Sequence, residues 1–275
     1  MAQSQRRVGL VLARASRVLG EEPYYHEFIE GLERVLTPAG VSVLVKVVTD
    51  REAESRTYER WAEQDRVSGV ILVDLVPGDD RVALVEGLGL PAVVLGAPST
   101  APGLPTVWTD DAGYAREAIR FLAEGGHTVI GQLSGPLSFV HTQLRRDGAR
   151  AEADELGVTL VQAEGDYSYE SGRTATGDLL THAPTALVCD NDLMALAALD
   201  LLREREIAVP ARMSVVAWDD SALCQLAAPA LSAISHDVVR IGELAANAML
   251  DAMAGRPATV YQAPPAHIVA RDSTN

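Results

Sequence analysis

Cysteine and aromatic side chains are scarce in this chain of 275 residues. Its two cysteines, Cys189 and Cys224, lie far apart and form no CxxC pair, which excludes a disulfide framework and fits a reducing compartment. Aromatic residues make up 5% of the chain, whereas apolar residues make up 48%. The core must therefore consist of Leu, Val, Ala and Ile, as in parallel sheets that are covered by helices.

Long hydrophobic runs and an excess of basic residues are also lacking. The polar N-terminus leads into one short apolar run, residues 8–13, which is too short for a signal peptide or a membrane span. The 38 acidic and 23 basic residues give a net charge of -15, which repels polyanions. We therefore expect a cytoplasmic protein without membrane contact, whose nucleic-acid contacts would need a further segment.

Enzyme motifs are absent. The sequence has no GxxxxGK[ST] phosphate loop, no GxSxG elbow and no HxxxH pair. The nearest approach to a dinucleotide motif, GLGLPA at 87–92, ends a predicted helix and precedes a strand, which is the reverse of the required order. We predict neither catalysis nor a cofactor nor a metal site, although an enzyme with an unrecognised site stays open as an alternative.

Short β-type runs alternate with helix-length segments along nearly the whole chain. Most of these runs are continuous in Val, Leu, Ile and Ala, as in strands that are buried on both faces. Between them, segments such as 238–252 carry apolar residues at helical spacing. This alternation predicts doubly wound parallel sheets. The predicted strands are 8–13, 41–48, 69–74, 92–95, 128–133, 159–163, 186–189, 214–217 and 232–235.

The strands fall into two series that a Pro/Gly-rich stretch at 98–105 separates. A late helix from Asp237 and two extended pieces must rejoin the earlier sheets. We therefore predict an α/β protein with two doubly wound parallel-sheet subdomains, joined by a multi-strand hinge around a ligand cleft. The predicted subdomains are 7–126 plus 237–260 and 127–236 plus 261–275.

Polar residues stand where predicted strands end. Asn191 and Asp219 follow neighbouring strands. Asparagine and aspartate are also good helix caps, so either residue could cap a helix instead of binding a ligand. For Asn191 the cap and ligand hypotheses are level, whereas Asp219 is the better candidate ligand because Asp220 or Ser221 could be the cap. Arg145 could present a planar set of donors to a hydroxyl pair, although a surface arginine is the commoner case.

Aromatic residues near the same strand ends are candidate pocket walls. Tyr167 follows a strand and precedes a predicted helix, so it could line a pocket or cover the helix start. Tyr24 and Tyr25 open the first long helix, where paired rings could stack on the C–H face of a sugar. Core packing is the alternative for each ring.

Four segments together resemble a known family. The chain is similar to the effector-binding core of the lac/galactose-repressor family of bacterial transcription regulators, which has the type I periplasmic-binding-protein fold. The resemblance extends over nearly the whole chain. The segments that carry it are VGLVLA (8–13), EGGHTVIGQLSG (124–135), PTALVCDNDLMA (184–195) and VPARMSVVAWDD (209–220).

The resemblance implies roles for particular residues. It implies ligand contacts for Arg145, Asn191 and Asp219, and pocket-wall positions for Tyr167 and His236. In the same way it makes Tyr24 or Tyr25 an aromatic contact. It also implies a homodimer in which closure around the ligand is passed to DNA-binding headpieces.

The chain departs from the family pattern because no helix-turn-helix precedes Val8. Operator DNA would therefore be bound through a headpiece that this chain does not contain. We interpret the sequence as the ligand-sensing core of a transcriptional regulator that binds a sugar-like effector between its lobes. The alternative with the same fold is the solute-binding protein of a sugar transporter.

Overall fold

The computed structural model describes residues 6–14 and 23–275. These residues form two compact units between which the chain passes three times. The first unit contains the described residues up to Thr109 together with Asp237–Pro264, and the second contains Asp110–His236 together with Pro265–Asn275. No helix in the described ranges combines the length and apolarity that a bilayer crossing requires.

Strands and helices alternate along the described chain. The strands are β1 (Arg6–Ala13), β2 (Val41–Val48), β3 (Gly69–Leu72), β4 (Ala92–Leu95), β5 (Thr106–Trp108), β6 (Val129–Ser134), β7 (Thr159–Glu164), β8 (Ala186–Cys189), β9 (Ser214–Asp219), β10 (Ser232–Ser235), β11 (Val260–Gln262) and β12 (His267–Val269). The helices are α1 (Pro23–Leu36), α2 (Arg51–Glu63), α3 (Asp80–Gly87), α4 (Asp111–Glu124), α5 (Val140–Leu156), α6 (Tyr169–Leu180), α7 (Asp192–Glu204), α8 (Ala222–Leu226) and α9 (Val238–Met253).

Each unit is built on one six-stranded sheet. The first sheet has the order β11-β5-β4-β3-β1-β2, and all of its pairings are parallel. The second has the order β12-β10-β9-β8-β6-β7 and is parallel except for the β10–β12 pair. The predicted fold class, two α/β subdomains on parallel sheets, is therefore confirmed.

One core of the first unit lies between its sheet and helices α1 and α9. Buried residues of β1, β3 and β4 pack against the apolar faces of both helices. The two helices approach closely at a pair of glycines: a Cβ on Gly31 would lie 2.0 Å from the Val239 carbonyl oxygen, and one on Gly242 would lie 2.2 Å from the Phe28 carbonyl oxygen. Only glycine permits this contact without a shift of backbone.

In the second unit, helices α4 and α5 pack against each other and against the sheet. Their crossing is also tight, because a Cβ on Gly148 would lie 2.4 Å from the Ala112 carbonyl oxygen. Helix α4 therefore packs within the second unit. The boundary predicted from the sequence after residue 126 instead placed this segment with the first unit, and the compact units divide after Thr109 and Pro264 rather than after 126 and 260.

Candidate functional site

In the second unit, the carboxyl ends of β8, β9 and β10 are adjacent, because these strands are neighbours in a parallel sheet. Polar residues follow each of them. We call the group formed by Arg145, Asp190, Trp218, Asp219 and His236 the strand-end cluster. This edge is where open α/β sheets bind ligands.

Asn191 follows β8 and caps helix α7. Its side-chain oxygen accepts a hydrogen bond from the Met194 backbone N–H at 2.9 Å, and its Nδ2 donates to the Tyr167 carbonyl at 3.0 Å. The residue is 2% exposed. The cap hypothesis is therefore confirmed, and the amide also ties the end of β8 to the segment after β7. A contact between Asn191 and a ligand stays a prediction.

Asp219 ends β9 in a backbone conformation that is unusual for a residue with a side chain. Its φ is +82°, and that of Asp220 is +63°. The following residue, Ser221, caps α8 by accepting from the Leu223 N–H, while Asp220 pairs with Arg271 at 2.7 Å. Asp219 is thus not needed as the cap, as the sequence indicated.

Arg145 lies on α5 and points to the same strand ends. Its Nε donates to Asp111 Oδ1 at 2.7 Å, and its Nη1 donates to the Asp190 carbonyl oxygen at 3.0 Å. Nη2 makes no hydrogen bond to any described residue. Burial disfavours the charged guanidinium, but Asp111, followed by Tyr167, Asp190 and Asp219, outweighs this effect and holds the pKa of Arg145 above its usual range.

Trp218 lies beneath this guanidinium. The Arg145 Cζ is 4.0 Å from the centre of the indole ring. His236 stacks on the same tryptophan with ring centres 5.6 Å apart, and Tyr114 meets His236 edge-on at 5.5 Å. Burial, with Arg145 and His267 nearby, lowers the pKa of His236 to about 3. The imidazole is therefore neutral at pH 7, and its Nε2 is buried without a hydrogen-bond partner in the described chain.

Two buried carboxylates flank Asn191. Asp190 accepts from Gln132 Nε2 and from the Gly135 N–H, both at 3.3 Å, and Asp192 accepts from the Ser221 N–H at 2.8 Å. Burial raises the pKa of each to about 6. Both residues hold neighbouring loop backbone in place at the strand ends.

Tyr167 is 3% exposed and lies in the interior of the second unit. Its hydroxyl is within hydrogen-bond distance of His141 Nε2 at 2.8 Å and Thr142 Oγ1 at 3.0 Å. The ring lies against Gly135, where a Cβ would be 2.0 Å from Tyr167 Cζ. Ser168, not Tyr167, caps helix α6. The role of Tyr167 as a pocket wall stays a prediction.

The first unit has its own polar group at the ends of β1 and β3. Arg14 makes two hydrogen bonds to Asp74, each of 2.9 Å, and the Tyr25 hydroxyl donates to the same carboxylate at 3.1 Å. Arg14 also lies over the Tyr25 ring, with Cζ 5.2 Å from its centre. Tyr25 is 4% exposed, and the partly buried Tyr24 stacks on Phe28.

The structure therefore places Arg145, Asn191, Asp219, Tyr167 and His236 in the second unit, and Tyr24 and Tyr25 in the first. Sequence reasoning missed several polar partners of these residues. Asp190 directly precedes Asn191, and Trp218 directly precedes Asp219, so their positions in the sequence could have indicated that they belong to the site. Nothing local marked the others, which are Arg14, Asp74 and Asp111. Within the described ranges, no cluster of three His, Cys, Asp or Glu residues could hold a metal ion.

Comparison with known proteins identifies relatives along most of the chain. Residues 119–274 match the family model of the periplasmic binding protein-like domain. Over 244 residues the chain is 33% identical to an uncharacterized HTH-type transcriptional regulator in the aml 5′ region of Streptomyces limosus, a match that covers 84% of this chain and 69% of that protein.

Two solved structures are similar over nearly the full length. A LacI family transcriptional regulator from Bifidobacterium animalis subsp. lactis has a TM-score of 0.89 and 33% identity, with 98% of both chains covered. The complex of the transcriptional regulator CelR with cellobiose has a TM-score of 0.90 and 28% identity, with 98% of this chain and 85% of that chain covered. These relatives are transcriptional regulators, which favours that function over a transporter component. The chain belongs to the LacI family of transcriptional regulators, within the periplasmic binding protein-like domain family.

Proposed function

We propose that this chain is the effector-sensing part of a transcriptional regulator, and that the strand-end cluster binds an uncharged, hydroxyl-rich effector such as a sugar. The observation that carries the proposal is the state of Arg145. Two of its nitrogens are committed to Asp111 and Asp190, while Nη2 makes no hydrogen bond to a described residue. A partly buried guanidinium nitrogen of this kind is a strong donor for an oxygen ligand.

The cluster suits hydroxyl groups better than anions. A hydroxyl both donates and accepts, so adjacent hydroxyls can accept from Arg145 Nη2 and donate to the Asp219 carboxylate. Asp111 already balances the charge of Arg145, and His236 is neutral at pH 7 because its pKa is about 3. An anionic effector would find no uncompensated positive charge in the cluster. The cellobiose complex of the relative CelR supports a sugar.

Effector binding would act on DNA through a difference in affinity. A ligand shifts a regulator between two states only as far as it binds them unequally. We propose that the effector has such unequal affinities, and that operator binding changes as a result through a headpiece. The predicted homodimer, the ligand cleft and its closure stay predictions, as do the contacts of Tyr24 and Tyr25.

The first test is calorimetric titration of the protein with cellobiose, maltose, galactose and ribose, each compared with the Arg145→Ala variant. We expect at least one sugar to bind the wild type. Loss of hydrogen bonds from a charged donor costs about 2 kcal/mol, which corresponds to a roughly thirtyfold higher Kd in the variant.

The neighbouring Arg146 provides a matched control. It lies on the same helix, is half-exposed and pairs with Asp147 at 2.7 Å, so Arg146→Ala removes the same charge without touching the cluster. This variant should bind with wild-type affinity. Equal weakening by both substitutions would mean that general charge, not the cluster, holds the ligand. Failure of all four neutral sugars, combined with binding of glucose 6-phosphate, would contradict the proposed effector class.

A further inference from the structure

We infer that Trp218 is a positioning residue for effector binding: its indole face holds the Arg145 guanidinium so that Nη2 is left open to the ligand. This inference rests on the proposed function, in which Arg145 binds the effector. It adds a residue that neither the sequence pattern nor the resemblance singled out for a role.

Three contacts together fix the guanidinium. The indole face lies 4.0 Å from Arg145 Cζ, which sets the plane of the group by a cation–π contact. The hydrogen bonds from Nε to Asp111 and from Nη1 to the Asp190 carbonyl set its rotation within that plane. Without the indole, the two hydrogen bonds would still allow the plane to tilt about the line between their acceptors. Trp218 therefore removes the remaining freedom.

The indole is itself held rigidly. Trp218 is 1% exposed and belongs to the apolar core of the second unit, with His236 stacked on it. It lies on β9, directly before the turn that Asp219 and Asp220 make with positive φ. Because the core fixes the Trp218 indole, the indole in turn fixes the plane of the Arg145 guanidinium.

The hydrogen-bonding group of the indole does not explain why tryptophan stands at this position. Trp218 Nε1 is buried and has no hydrogen-bond partner in the described chain, and a buried donor without a partner is unfavourable. Leucine or phenylalanine could occupy a core position without that penalty. The large π surface, which binds a cation more strongly than other aromatic rings, accounts for the residue.

A double-mutant cycle tests the inference, measured on the affinity for cellobiose or, if cellobiose does not bind, for whichever of the other three titrated sugars does. We expect Trp218→Leu to raise the Kd about tenfold, in line with loss of a buried cation–π contact, and Trp218→Phe to retain most of the affinity because a ring remains. In the Arg145→Ala background, Trp218→Leu should cause no further loss, because Trp218 acts through Arg145. An equal loss in both backgrounds would overturn the inference and make Trp218 a packing residue.

A measurement without ligand separates this inference from the proposed function. We expect ¹⁵N relaxation of the Arg145 Nε–H to show a rigid group in the wild type and in Trp218→Phe, and a mobile group in Trp218→Leu. Trp61→Leu is the matched control, because Trp61 is buried in a core of the first unit. That variant should melt earlier yet leave the Arg145 signal unchanged.

The outcomes are distinguishable. If all four neutral sugars fail while glucose 6-phosphate binds, or if Arg145→Ala leaves the affinity for a bound sugar unchanged, the proposed function fails, whatever the relaxation data show. If Arg145→Ala weakens binding of that sugar while Trp218→Leu changes neither the affinity nor the mobility of Arg145, the inference about Trp218 fails alone.

Discussion

At the residue scale, several unusual backbone conformations lie at the polar ends of strands. Asp74, Tyr167 and Asp219 have φ values of +53°, +69° and +82°, although side chains make such values unfavourable. Each lies where a strand gives way to a loop that carries a candidate ligand residue or its partner. Hydrogen bonds to neighbouring elements, such as that from Asn191 to the Tyr167 carbonyl, hold these conformations in place. With Asp220, four of the seven described non-glycine residues with positive φ therefore lie at strand ends where ligands are expected, whereas Asp65, Ala183 and Glu206 follow helices.

The buried imidazole of His236 makes stability depend on pH. Burial lowers its pKa from 6.5 to about 3 in the folded protein. Between pH 6.5 and pH 3, His236 is therefore protonated in the unfolded chain but neutral in the folded chain. Its contribution to stability is therefore fully present above pH 6.5 and is lost as the pH falls to about 3. We expect the stability of the wild type relative to His236→Gln to fall by up to about 1.4 kcal/mol per pH unit in this range.

Urea unfolding of both proteins at pH 8, 6, 5 and 4 provides the measurement. The difference between the two proteins is the relevant quantity, because Asp190 and Asp192, with pKa values raised to about 6, give the opposite slope in both. A difference that stays constant from pH 8 to pH 4 would show that His236 titrates normally in the folded protein.

At the element scale, the contact between α1 and α9 depends on two glycines. We expect Gly242→Val to destabilise the protein by about 3 kcal/mol, because its Cβ would overlap the Phe28 carbonyl and force the helices apart. Thermal and urea unfolding measure the effect. Gly87, at the end of α3, has no atom within 4 Å of an added Cβ. Gly87→Ala is thus the control, and a comparable loss there would refute the packing argument.

Elements that are buried on both faces could be predicted from the sequence alone. Strands β4, β8 and β10 have the predicted ends, because buried apolar runs leave little choice of register or length. The edge strand β2 also has its predicted ends, although Val45 and Val47 are exposed. Strand β5 was missed, since its three residues follow a Pro/Gly-rich stretch and carry no pattern of their own. The assignment of α4 was missed for another reason: its packing depends on Gly148, thirty-odd residues away, and no local pattern reports such a contact.

The candidate site shows the same division. Arg145 and Asp219 could be chosen because strand ends mark the ligand edge of a parallel sheet. The partners that decide how Arg145 can act lie on α4, β9 and the turn after β8, and only the fold brings Asp111, Trp218 and Asp190 to it. The local sequence pattern therefore locates the edge of the sheet where a ligand is expected to bind. Packing between residues far apart in the sequence determines which groups at that edge can contact the ligand.

At the scale of the whole molecule, each unit has cores of its own. Buried residues of β1, α1 and α9 form one core in the first unit, and those of α4, α5 and β9 form another in the second. None of these clusters includes residues of both units. Local stability in a protein follows such cooperative units, so damage to one core should be confined to the unit that contains it.

Hydrogen exchange measured by mass spectrometry can test this with two matched substitutions. Gly242→Val disturbs the α1–α9 contact, and Gly148→Val disturbs the α4–α5 contact, where the added Cβ would lie 2.4 Å from the Ala112 carbonyl oxygen. We expect Gly242→Val to speed exchange in β1, β3 and α9 and to leave β8 and β9 unchanged. We expect Gly148→Val to speed exchange in β8 and β9 and to leave β1, β3 and α9 unchanged. Faster exchange across both units in either variant would mean that the two cores unfold as one, because opening of one would then always open the other.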